Sequence, residues 1–260
     1  MMGGMDAPGT EEALDAKAER EERWRRDIRL AATNLASGMW AGLLAGFVIG
    51  GIGGRLAMFV LRLTSDPSLK GVESDDGFII GSFTGSTFFL LIFAAILGLV
   101  GGMFYLLIRE WMPQRVRPVA MGVFGAAVGG SEIVHPDGID FQELEPASLA
   151  IAMFVVIPAL YGVAMSLLTE RLLRSAEERS KRRLILILAS LLPLLALGPF
   201  GILVILVLFG IWSGLWLLNQ YVPVGRAWRS EPAAWLGRIA LAAIVVLTTI
   251  DLVQDSIEIL

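Results

Sequence analysis

Residues 184–218 form a run of 35 side chains without a single charge. As a straight helix such a run measures about 50 Å, far more than the ~30 Å hydrocarbon layer of a bilayer. It has no polar face to turn toward water, so a soluble domain cannot accommodate it. Gly198-Pro199-Phe200-Gly201 stands near its middle and supplies a helix stop and a turn. The run therefore reads as two crossings joined by a very short turn, with a re-entrant pair as the other consistent arrangement. The whole chain points the same way: 55% of its 260 residues are hydrophobic and 18% charged, against ~45–50% and ~25% in soluble domains.

The remaining apolar blocks are 35–61, 78–108, 116–134, 147–168 and 234–253. With the two halves of 184–218 they give seven spans. The distribution of basic residues supports that count. Lys17, Arg20, Arg23, Arg25, Arg26 and Arg29 precede the first span, and Arg109, Arg115 and Arg117 fill the second connection. Arg171, Arg174, Arg179, Lys181, Arg182 and Arg183 fill the fourth, and Arg226, Arg229 and Arg238 the sixth. On seven crossings, 18 of the 21 basic residues fall on one side, which the positive-inside rule makes cytoplasmic. Both flanks of 184–218 are basic, so an even number of crossings must lie between them. The 131–146 loop carries Glu132, Asp137, Asp140, Glu143 and Glu145 and no Lys or Arg. The predicted fold is an all-α, polytopic transmembrane helix bundle with the N-terminus in and the C-terminus out. That orientation is opposite to seven-helix receptors and retinal proteins, and the last span has no lysine for a retinal Schiff base.

Two regions follow, a cytoplasmic N-terminal segment at 1–34 and the helix bundle at 35–260. The first span starts too late and runs too long for a cleavable signal, and is expected to act as a signal anchor. Thr10 can cap a helix over 10–30 whose Glu19/Arg23, Glu21/Arg25 and Glu22/Arg26 pairs stand at i,i+4. This helix either docks a protein or anionic lipid, or is a solvated segment that sets orientation.

Gly38, Gly42, Gly46, Gly50 and Gly54 recur every four residues along the first span, the pattern of a glycine zipper. Glycine lets a neighbouring backbone come close, which matters where lipid removes any hydrophobic drive between helices. Ala94, Gly98 and Gly102 give the second span a matching face, and Gly122, Ala126 and Gly130 give one to the third. The pattern predicts a tight core of spans one to three; a homodimer seam or a moving helix is the alternative.

Arg55 is the one charge well inside an apolar run, and a charge there costs ~2.5 kcal/mol or more unless it snorkels or pairs. Candidate partners are Glu132, Asp137, Asp140 and Asp251. The only histidine, His135, lies among the carboxylates Glu132, Asp137 and Asp140. Such a loop can hold a divalent cation or pass protons, or be an ordinary turn built on Pro136 and Asp137-Gly138. Its spacing matches no complete metal-loop pattern. With no cysteine and one histidine, disulfides, thiolate metal sites and bis-histidine haem are excluded. HExxH, GxSxG, P-loop and dinucleotide motifs are missing as well. No cofactor and no nucleic acid is expected, and oligomeric state is left open.

The segments Gly54-Arg55-Leu56-Ala57-Met58, Gly101-Gly102-Met103-Phe104-Tyr105-Leu106-Leu107-Ile108-Arg109, Asp140-Phe141 through Pro146, Tyr161-Gly162 and Glu170-Arg171-Leu172 carry a resemblance. Over residues 38–173 the chain resembles uncharacterised multi-pass membrane proteins of high-GC bacteria. The resemblance implies a bacterial cytoplasmic (inner) membrane location and brings no activity. The leading expectation is a non-enzymatic scaffold or regulator with a cytoplasmic protein partner. The alternatives are a small-solute or ion transporter using Arg55 and the acidic cluster, and then an intramembrane enzyme.

Overall fold

The computed structural model describes residues 8–65, 85–138, 141, 145–178, 180–189, 192, 210, 214 and 224–260. Its described elements are all helical. They are α1 (Pro8–Ala45), a π-helical stretch Gly46–Gly53, α2 (Gly54–Thr64), α3 (Gly85–Ile108) and a 3₁₀ turn Arg109–Trp111. Then come α4 (Arg117–Phe124), a second π stretch Gly125–Gly129, α5 (Gly130–Ile133) and α6 (Ala147–Glu178). The series closes with α7 (Ser180–Ala189), α8 (Val224–Trp228) and α9 (Glu231–Ile259). Four helical stretches are long and apolar enough to cross a membrane: Lys17–Thr64, Thr87–Trp111, Ala147–Ala176 and Glu231–Ile259. The block expected at 116–134 is a shorter helix of α4, π turn and α5. Most of 184–218, with Pro193, lies outside the described residues.

Exposed Leu, Ile, Val and Phe side chains cover these helices; Phe88, Leu97, Leu160 and Leu247 are examples. That is the inverse of a soluble protein and suits a bundle whose solvent is lipid. The interior combines close backbone contact at small residues with buried larger side chains such as Met39, Leu61, Tyr105 and Met165.

α1 and α3 run antiparallel along their glycine faces. A Cβ added at Gly38 would stand 2.8 Å from the Gly102 carbonyl oxygen, and one at Gly46 would stand 2.8 Å from Gly98 Cα. Gly42 meets the Gly98 carbonyl more closely still. A four-residue repeat drifts about 40° per step on a regular α-helix. The wider π turn over Gly46–Gly53 counters that drift, so Gly51 still faces Leu91 and Gly50 still faces Ala94. The stripe stops there: a Cβ at Gly54 would meet nothing within 4 Å.

The third small-residue face differs from expectation. It packs on α6, not on spans one and two. Its contact residues are Gly122, Gly125 and Gly129, spaced three and four, rather than Gly122, Ala126 and Gly130. A Cβ at Gly122 would lie 2.7 Å from Val163 Cγ2, and one at Gly129 2.5 Å from Pro158 Cβ. Gly125 abuts the Pro158 carbonyl, and Gly162 returns the favour against Met121. Gly130 turns instead to Leu252 of α9 and Val155 of α6. The reason is the proline. Pro158 sits inside α6, where its ring blocks one backbone hydrogen bond, and a helix without Cβ atoms is the partner that fits against it.

These contacts fix direction. The Arg109, Arg117, Glu170 and Arg238 regions gather at one end of the bundle, with the N-terminal half of α1. Thr64, Ser65, Val134, His135, Glu145 and Asp255 gather at the other, around a cluster of Leu61, Val134, Phe141, Ala150 and Phe154. They are called here the basic and the acidic end.

Candidate functional site

Arg55 lies in the first turn of α2, half-buried. Its Nη2 donates to the hydroxyl of the buried Thr87 on α3, and its Nη1 lies 4.0 Å from Met58 Sδ. Among the described residues no ion pair joins it to Glu132, Asp137 or Asp251. Glu132, Asp137 and Asp251 are all exposed, and Asp140 lies outside the described residues. His135 is placed by the turn after α5, where its Nε2 stands 3.2 Å from the Glu132 carbonyl oxygen. Its Nδ1 stands 3.6 Å from Asp255 Oδ2, so a carboxylate of the C-terminal helix faces it. Of the polar residues singled out in the sequence, the five described ones, Arg55, Glu132, His135, Asp137 and Asp251, stand toward one end of the bundle, and among them no hydrogen bond or ion pair joins Arg55 to the other four. Among the described residues no group of three or more potential metal ligands assembles.

The most connected polar site lies at the opposite end, around Glu170. Tyr105 on α3 and Arg109, four residues later at the start of the 3₁₀ turn, both reach Glu170. Arg117 opens α4, and Glu170 stands on α6, where 147–174 has no other carboxylate. Glu170 Oε1 accepts from the Tyr105 hydroxyl at 2.8 Å and from Arg117 Nη1 at 2.9 Å. Arg109 Nε approaches the same oxygen to 3.3 Å, and Arg109 Nη2 reaches Oε2 at 3.5 Å. Arg117 Nε also donates to the Met112 carbonyl at 3.1 Å, and Glu110 lies 3.9 Å from Arg109. Tyr105 is fully buried and Arg117 is 5% exposed. A carboxylate so placed would be costly alone, and two guanidiniums and a hydroxyl satisfy it. One side chain thus ties together three helices, α3, α4 and α6.

Tyr161 makes a second inter-helix bond, donating its hydroxyl to the Gly98 carbonyl at 2.6 Å. Gly101 makes room for the ring: a Cβ there would lie 3.2 Å from Tyr161 Cζ. Sequence reasoning used Arg109 and Arg117 as orientation markers and did not pair them with Glu170. The available signals were the i,i+4 spacing of Tyr105 and Arg109 and the isolation of Glu170 within an apolar helix.

Against protein-family models, curated proteins and solved structures the chain gives no match.

Proposed function

We propose that the chain is a seven-span integral protein of the bacterial cytoplasmic membrane, N-terminus inside and C-terminus outside. In this reading it is a relative of the uncharacterised multi-pass proteins of high-GC bacteria. It works without enzymatic chemistry, as a scaffold or regulator that presents its N-terminal helix to a protein partner. The observation that carries this reading is the unbroken helix from Pro8 into the first span. Residues 17–27 of it are exposed, with a single Arg23–Glu19 pair at 3.5 Å spanning one turn. A charged rod continuous with a glycine-packed span conveys any rotation or tilt imposed on it directly to the Gly38–Gly102 contact.

The orientation is supported by the gathering of Arg109, Arg115, Arg117, Arg171, Arg174, Arg226 and Arg238 at one end. The pairing of Trp228 Nε1 with the Leu107 carbonyl at 3.0 Å supports the count. It returns the chain after residue 223 to the end where α6 finishes, so crossings between them come in an even number.

A second reading, passage of a small solute or ion, is favoured by the half-buried Arg55 on Thr87. The discriminating experiment places a photo-cross-linking amino acid at Ala18, Glu22 or Arg25, in cells that carry the chain naturally. One discrete protein adduct shared by the three positions and absent at Leu63 is expected. Lipid-sized adducts alone at the helix would overturn the scaffold reading.

A further inference from the structure

At the basic end the last helix begins against the end of α3. Ser230 caps α9 by accepting from the Ala233 N–H at 3.4 Å. Just before it, the Trp228 ring lies 4.6 Å, centroid to centroid, from Trp111. Gly237 admits the Trp111 ring to the helix surface: a Cβ there would stand 2.8 Å from Trp111 Cε2. Arg238 Nε then donates to the Trp111 carbonyl at 2.6 Å, and its Cζ lies 5.5 Å from the centroid of the Trp235 ring.

That bond uses one of the five N–H groups of the guanidinium and, with the Trp235 ring, restrains where it lies. The side chain is exposed, and the four N–H groups on its terminal nitrogens lie beyond the bond. Among the described residues no ion pair involves Arg238. Arg226 and Arg229, both exposed, stand on and after the short α8. The carboxylates of this region are Glu231, in the first turn of α9, and Glu110, which faces Arg109. Immediately alongside, Leu107, Trp235, Leu236 and Ile239 are exposed.

A guanidinium held over a tryptophan ring, in a segment with two further exposed arginines and exposed apolar side chains, matches a molecule with an anionic phosphate head and hydrocarbon tails. Guanidinium binds phosphate through paired N–H bonds, and tryptophan favours the headgroup level. We propose that Arg238 and Trp235, with Arg226 and Arg229, form a binding site for the headgroup of an anionic phospholipid, whose chains lie on Leu236 and Ile239. The proposal rests on the chain spanning a membrane and is independent of whether the N-terminal helix docks a partner.

The test is native mass spectrometry of the full chain in neutral detergent, with phosphatidylglycerol, phosphatidylcholine or inorganic phosphate added. The wild type is expected to retain phosphatidylglycerol over phosphatidylcholine, and Arg238→Gln to lower that preference about fivefold. Arg174→Gln, an exposed arginine at the same end, is expected to leave it unchanged. If Arg238→Gln loses helicity, Trp235→Ala decides, because it removes the ring and leaves the anchor to Trp111; a lowered preference is expected. An unchanged preference in the Arg238 or Trp235 variant overturns the proposal. So does an equal fall in Arg174→Gln, which would mean general charge, or displacement of the lipid by millimolar phosphate, which would mean a free-anion site.

Discussion

The two ends of the bundle hold their charges in opposite ways. At the basic end Glu170 is enclosed by Tyr105, Arg109 and Arg117, and three helices meet on one carboxylate. At the acidic end the cross-links are small. Thr64 Oγ1 donates to the Glu145 carbonyl at 2.7 Å, and Ser65 Oγ accepts from the Glu145 N–H at 2.8 Å. One His135–Asp255 contact stands among exposed carboxylates. Charge that sets orientation needs only to be on the correct side, whereas charge that is buried must be paired and so becomes part of the architecture. The basic end pairs Arg109 and Arg117 on Glu170, whereas Glu132, Asp137 and Asp251 at the acidic end stay exposed.

The contrast can be broken first at Glu170. Glu170→Ala leaves Arg117 buried beside a lost partner and is expected to destabilise by about 3–5 kcal/mol. Glu132→Ala at the other end is expected to change stability by less than about 0.5 kcal/mol. Thermal unfolding in detergent compares the two, and equal effects would erase the distinction. Next comes the glycine face. Gly42→Ala forces α1 away from the Gly98 carbonyl and is expected to cost about 1–3 kcal/mol. Gly54→Ala, with nothing within 4 Å, is expected to be neutral or stabilising by up to about 1 kcal/mol. The same melts measure this pair. Tyr161→Phe removes the bond to the Gly98 carbonyl, and a loss of about 0.5–1.5 kcal/mol is expected. The smallest effect is expected for Asp255→Asn, less than about 1 kcal/mol because both partners are partly in water. A larger loss there would make the acidic end as interlocked as the basic one.

Much of this fold was legible from residues alone. Of the seven spans read from the apolar runs, four correspond to membrane-length helices among the described residues, and the four-residue glycine repeat anticipates the face that α1 turns to Ala94, Gly98 and Gly102. What stayed hidden depends on tertiary pairing. Nothing local in Gly122–Gly130 tells whether its small residues meet a glycine face or Pro158, and the structure chooses Pro158. Arg109 and Arg117 read as orientation signals because the sequence does not reveal that Glu170, more than fifty residues away, returns to the same end. The polar residues of the acidic end were nameable, yet spacing alone could not tell that His135 would face Asp255 and Arg55 would face Thr87.

The central claim is that the two ends lie on opposite sides of the membrane, and the cysteine-free chain makes it directly testable. Gly138→Cys and Glu178→Cys are introduced singly and treated with a membrane-impermeant maleimide in intact and permeabilised cells. The account predicts labelling of position 138 from outside, and of position 178 only after permeabilisation. The reverse pattern at both positions would contradict it.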